Sequence, residues 1–148
     1  MRLSPHFHLE EFTRSKTAGE KGIKNFPDVE QIQNITALCK VVLEEVRKHF
    51  GKPVLITSGY RSPELNRAVG GSQYSQHVKG EAADFVVKDI TVSKVFDSIL
   101  HESLPFDQCI HEKRDNREWI HISHKRNRRE KLFAAPEQDG RMVYRAVK

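Results

Sequence analysis

The sequence predicts an α+β fold in which an antiparallel sheet is flanked by helices. Three observations carry this: the clearest helical periodicity comes early, at residues 28 to 50, the strand-like runs come mainly later, and the connections between them are short. At 148 residues, the chain has the length of one domain that buries a continuous apolar core without staples. Residues 1–148 are therefore expected to form a single domain.

Each element has a local cause. Across residues 28 to 50, Ile32, Ile35, Leu38, Val42, Val46 and Phe50 recur at helical spacing, Asp28 caps, Gln31 completes a capping box and Gly51 ends the run. "PVLITS", residues 53 to 58, is a short β-branched strand. "SPELNRAVGG" opens a second helix, with Ser62 as cap and Pro63 at the first position, where its missing N–H costs nothing. A loop from Gly70 to Gly80 leads into "EAADFVV", a strand. From Thr91 to Glu102, Val92, Val95, Phe96, Ile99 and Leu100 gather on one side of a third helix. "FDQCIHE" and "EWIHIS" read as strands joined by the polar loop "KRDNR", and "KLFAAPEQDGRMVYRAV" as two more around a turn at Glu137 to Gly140.

Composition narrows the function classes. A hydrophobic fraction of 37% beside 30% charged residues is that of a soluble globular protein, and no apolar run approaches the roughly 20 residues of a membrane span. "MRLSPHFHLEEF" lacks the unbroken apolar segment of a secretory signal, so synthesis in the cytoplasm is expected. Cys39 and Cys109 each sit in an apolar pattern and read as small buried hydrophobes. The net charge of +5 favours polyanionic surroundings, and its densest piece is "HKRNRREK", residues 124 to 131. No aromatic platform is interleaved with it, so it reads as a basic surface or loop and no dedicated nucleic-acid site is expected.

The chemistry concentrates in "SQHVKGEAAD" and "EWIHIS". His77 lies in a glycine-containing loop, Asp84 among Ala82, Ala83 and Phe85, and His121 between Ile120 and Ile122 beside the one tryptophan. A buried carboxylate without a partner is costly and would take up a proton, and coordination to a cation removes that penalty. Two imidazoles, one carboxylate and a water make the open tetrahedron of catalytic zinc, which lowers the pKa of its water to about 7. Glu118, three residues before His121, is the expected general base, with Glu112 as its rival. Residues 118 and 121 of a regular strand point to opposite faces, so this role requires Glu118 at an irregular entry or a bulge. Arg61 in "SGYRS" is either a clamp for a substrate carboxylate or developing oxyanion, or a structural arginine tying its own loop. Gln108 is either a lining residue or a strand amide satisfied by its neighbours, and the other six histidines fall in no motif.

"SQHVKGEAAD" fits S-x-H-x-x-G-x-A-x-D and "EWIH" fits E-x-x-H. Together with "SGYRSPELNRAVGGSQYSQH" and "FHLEEFTRSKTA", they resemble the zinc D-alanyl-D-alanine peptidases that share a fold with the hedgehog signalling domain, in their small bacterial and phage branch. The likeness covers residues 7 to 123. It implies a hedgehog-like peptidase fold, Zn2+ held by His77, Asp84 and His121, a base at Glu118, and substrate contact by Arg61 with Ser75 nearby. It also implies a peptidoglycan stem-peptide substrate, cut as a D-Ala-D-Ala carboxypeptidase or as an endopeptidase. Ile120 stands where close dipeptidase relatives carry a second tryptophan. Many small relatives are phage lysins, which reach the wall by release through membrane holes or as virion components, and a monomer is the expected state.

Two other classes compete. A non-enzymatic wall-binding module would keep the fold and the metal without turnover, against which the retention of Glu118 counts. An iron(II) oxygenase also uses two histidines and a carboxylate, but on an all-β double sheet that the helix at 28 to 50 does not suggest.

Overall fold

The helix expected over residues 28 to 50 forms, and it places Ile35, Leu38, Cys39, Val42, Leu43 and Val46 in the core. In the computed structural model, which describes residues 1–102, 104–126 and 128–147, α3 (Val29–Leu38) runs through a π-helical turn (Cys39–Leu43) into α4 (Glu44–Phe50). The capping box closes as the sequence predicts: the Asp28 side chain accepts from the Gln31 backbone N–H, and the Asp28 N–H donates to the Gln31 side chain. Gly51 ends the run in the left-handed conformation. The wider π turn turns adjacent pairs, Leu38 with Cys39 and Val42 with Leu43, into the core together.

Ahead of it, β1 (Arg2–Ser4) and β2 (Phe7–His8) form a small ribbon, followed by α1 (Leu9–Thr13) and α2 (Lys16–Lys21). Downstream come β3 (Val54–Ser58), α5 (Pro63–Ala68), a 3-10 turn (Gln76–Lys79), β4 (Ala82–Val87), α6 (Val92–His101), β5 (Gln108–Arg114), β6 (Arg117–Ser123), β7 (Glu130–Pro136) and β8 (Met142–Ala146). Ser62 and Thr91 cap α5 and α6 through their side chains. The loop expected between the strands of "FDQCIHEKRDNREWIHIS" shrinks to a tight turn, because β5 and β6 pair as far as Arg114 opposite Arg117.

The main sheet has the order β3-β4-β6-β5-β7-β8. It departs from the expected antiparallel sheet at one place, where β7 lies parallel to β5. The physical reason is the basic run. Apart from Asn127, which lies outside the described residues, it crosses the start of β5 and is pinned there. The Arg128 fork bonds Asp107 at 2.7 and 2.9 Å, the Glu130 N–H donates to the Asp107 carbonyl, and the Arg129 guanidinium sits 4.6 Å above the Phe106 ring.

The sheet has two unlike faces. Phe85, Val87, Cys109, Ile120 and Ile122 pack with α3, α4 and α6 in one hydrophobic cluster. The alternate residues of the same strands face a cleft. Both cysteines are free and buried, as expected, and burial pushes the Cys109 thiol up to about 12. Among the described residues, no helix is long and apolar enough to cross a membrane.

Candidate metal centre and cleft

Strand register builds the centre. Asp84 on β4 is paired directly with His121 on β6, so both side chains leave the same face at the middle of the sheet. His77 arrives from outside the sheet on the 3-10 turn, and several contacts fix that turn. The Ser75 hydroxyl accepts from the His77 N–H, Gln31 and Asn34 of α3 donate to the carbonyls of Val78 and Lys79, and Gly80 closes the turn at φ +75. A Cβ on Gly80 would meet the Gln31 carbonyl oxygen at 2.5 Å, so only glycine lets the turn lie against the helix.

The three side chains converge. The His77 Nε2 is 3.2 Å and the His121 Nδ1 2.9 Å from the Asp84 Oδ1, and one ligand atom from each residue lies within 4.8 Å of the others. Among the described residues this is the group able to hold a metal ion. The donor set suits zinc. Tetrahedral zinc, bound at about 2.0–2.1 Å from each donor, needs donors roughly 3.4 Å apart. The His77 Nδ1 lies 2.7 Å from the Gly59 carbonyl, which takes its proton and leaves Nε2 as the free donor.

The charge states agree with that use. Burial would raise the Asp84 carboxyl, but the adjoining imidazoles outweigh it and hold the group ionised, well below the carboxylate range. Burial holds His77 below its ordinary value, and so neutral. For His121, burial acts downward and the Asp84 bond and charge prevail, so the imidazole sits above its ordinary value.

The loop carrying Arg61 is anchored by Asn25, whose amide donates to the Thr13 and Tyr60 carbonyls and accepts from the Ser62 N–H. Gly59 lies against Phe12 of α1, where a Cβ would come within 2.6 Å of the Phe12 Cα. Arg61 donates to Ser58 and Asn66, and its Nη2 stands 3.7 Å from Asp84. It therefore ties its loop and also reaches the centre. Ser75 caps the His77 turn and borders the cleft. Gln108 is bonded to Glu130 while lining the same wall.

Glu118 stands otherwise than its expected role requires. β6 is regular from Arg117 to Ser123, without the bulge the base role required. Although Glu118 borders the cleft, its carboxylate is turned to the other side of the sheet, 2.9 Å from His111 Nε2, and that imidazole packs on Phe96 of α6. Its rival Glu112 lies on the face of the sheet that carries Asp84 and His121. It pairs across the strands with Trp119, one alternation from His121, and accepts the Trp119 indole N–H at 2.5 Å. Burial, then the Asp84 charge, raises its carboxyl. The tail also supplies residues that sequence reasoning left aside: Leu132, Met142 and Tyr144 line the cleft, with the Tyr144 hydroxyl 3.5 Å from Glu112. Face alternation from His121 across the hairpin was the available signal for Glu112.

The cleft above this centre has a volume of about 1470 Å³. A smaller cavity of about 280 Å³ between α4 and α6 contains none of these residues. No curated protein matches the chain. Residues 5–123 match the family model described as Peptidase M15, a span that holds the three convergent side chains, Glu112, and the strands and turn that present them. The chain belongs to the peptidase M15 family.

Proposed function

We propose that this peptidase is a zinc enzyme that hydrolyses peptide bonds in peptidoglycan stem peptides, with residues 1–148 acting as one domain and wall degradation of the endolysin type as its setting. The observation that carries the reading is the convergence of His77, Asp84 and His121 at the floor of a large cleft, with a carboxylate, Glu112, on the same face. Zinc held by these residues supplies a water that ionises near neutral pH.

The chain's own groups do the rest. Glu112 serves as general base in place of Glu118, because burial raises its carboxyl and so strengthens it as the group that takes a proton from the attacking water and returns it to the leaving amine. The Trp119 indole N–H fixes one Glu112 oxygen and so aims the other. Arg61, with two of its donors already spent on Ser58 and Asn66, directs the remainder toward oxygen charge developing beside Asp84. Ser75 contributes by holding the His77 turn and by its place on the cleft wall.

The test is digestion of purified peptidoglycan with and without a chelator, with mass analysis of what is released. Chelator-sensitive release of stem-peptide fragments supports the reading. Intact peptidoglycan with the zinc-loaded protein, or activity restored by iron with oxygen consumption, overturns it.

A further inference from the structure

We propose that Tyr144 is a positioning residue for Glu112: its hydroxyl, together with the Trp119 indole N–H, fixes the plane of the carboxylate that takes the proton. This rests on the reading of Glu112 as the base, while the pairing of the two side chains stands on the sheet alone.

Register brings them together. Tyr144 on β8 is paired with Ala134 on β7, Ala134 with Glu112 on β5, and Glu112 with Trp119 on β6. Paired residues share a face, so these four form one row across the cleft side of the sheet. Tyr144 and Glu112 are two strands apart, roughly 10 Å at the backbone. Two long side chains close that gap only over a small residue, and the one between them is the fully buried Ala134. The Tyr144 hydroxyl lies 3.5 Å from the Glu112 Oε1, while the indole N–H holds the Oε2 at 2.5 Å.

Each carboxylate oxygen thus has its own partner. A carboxylate held through one oxygen still turns about that contact, and a donor on the other oxygen stops the rotation. Oε1 keeps a lone pair for the incoming proton, because each oxygen of an ionised carboxylate has about two acceptor sites. A phenol suits the position, since it donates to the ionised carboxylate and accepts from the protonated one. The contact is long for a hydrogen bond, as catalytic contacts are before substrate tightens the site. Burial, then the charge of Glu112 and the bond to it, raises the Tyr144 phenol above its ordinary value. With the side of β8 that carries it half exposed, the ring is not a core residue. It also lies beyond residues 5–123, so the family match does not supply it.

A double-mutant cycle tests the proposal, with initial rates measured over a range of purified peptidoglycan concentrations. In the zinc-loaded protein, Tyr144→Phe is expected to lower kcat about tenfold, the worth of one hydrogen bond, with KM, zinc content and melting temperature unchanged. Added to Glu112→Gln, the same change is expected to cost less than about twofold, because its effect passes through the carboxylate. A native kcat in Tyr144→Phe, a full further loss on top of Glu112→Gln, or a rise in KM in place of the fall in kcat overturns the proposal. A native kcat in Glu112→Gln overturns both it and the base assignment. The second measurement needs no turnover: NMR of protein labelled at the tyrosine ring carbons follows ionisation of the Tyr144 phenol, whose signal is identified by its loss in Tyr144→Phe. The phenol is expected to ionise above its ordinary range in the native protein and nearer to it in Glu112→Gln. If peptidoglycan stays intact, the function proposed above fails, and a phenol that responds to Glu112→Gln still upholds the pairing. A phenol indifferent to Glu112→Gln ends the proposal whatever the kinetics.

Discussion

Asp84 and His121 stand directly opposite each other on β4 and β6, with the His121 Nδ1 2.9 Å from the Asp84 Oδ1. A slip of one residue between these strands would send one of the two side chains into the helix-packed core, so the register that buries Phe85 and Ile120 also assembles the centre. One bound zinc per chain is expected by elemental analysis of the purified protein. Asp84→Ala is expected to abolish it, because the carboxylate is the shared neighbour of both imidazoles. Since the ion binds the folded chain and not the unfolded one, a chelator is expected to lower the melting temperature of the native protein and leave Asp84→Ala unmoved.

Glu112 and Glu118 lie on opposite faces of the sheet, and the proposed base role belongs to the first. Glu112→Gln is expected to reduce kcat by about 10²- to 10⁴-fold, the usual worth of a general base, with the zinc content intact. Glu118→Gln removes only a bond to His111 on the opposite face and is expected to leave kcat within about threefold. Parallel kinetics and metal analysis of the two variants check this. Equal losses in both would contradict the face assignment.

These two residues also mark how far the sequence could be read. Local signals were sufficient for the capping box at Asp28, the cap and proline at Ser62 and Pro63, and the strands at 82 to 87 and 117 to 123, because each rests on neighbours within a few positions. The metal group was legible because its three residues sit in recognisable motifs. For the base, two local signals disagree: E-x-x-H spacing points to Glu118, whereas strand alternation turns its carboxylate to His111 on the other face. The parallel placement of β7 was not legible: it depends on the contacts of Asp107 with Arg128 and of Phe106 with Arg129, more than 20 residues apart in the chain. The short N-terminal elements escaped for a similar reason, since α1 matters through what it touches, Gly59 and Tyr60.

Gly80 joins the turn of His77 to α3 at a positive φ, with no room for a methyl group. Gly80→Ala is expected to destabilise the fold by about 1–2 kcal/mol through the left-handed backbone alone, and by more through the contact with the Gln31 carbonyl. Because relief requires the turn to move, zinc affinity is expected to fall as well. Urea unfolding, with a zinc titration of the folded variant, reads both effects.

Asp107 governs how the fold responds to acid. Its side chain is fully buried, and burial alone would push the carboxyl up. The Arg128 fork and the Arg128 N–H outweigh that and hold it below its ordinary value. A carboxyl with a lowered folded value binds fewer protons folded than unfolded, so it contributes stability above the unfolded pKa of about 3.9 and loses it as the pH falls through the folded value. Asp107→Asn is expected to cost about 1–3 kcal/mol at pH 7, since it replaces a charged pairing at the start of β5 and frees the crossover to β7. Below pH 4 the difference between the two proteins is expected to shrink, because the native carboxyl is then being protonated too. Urea midpoints measured from pH 7 to pH 3 decide the matter: parallel curves at all pH values would mean that Asp107 holds the crossover by shape and not by charge.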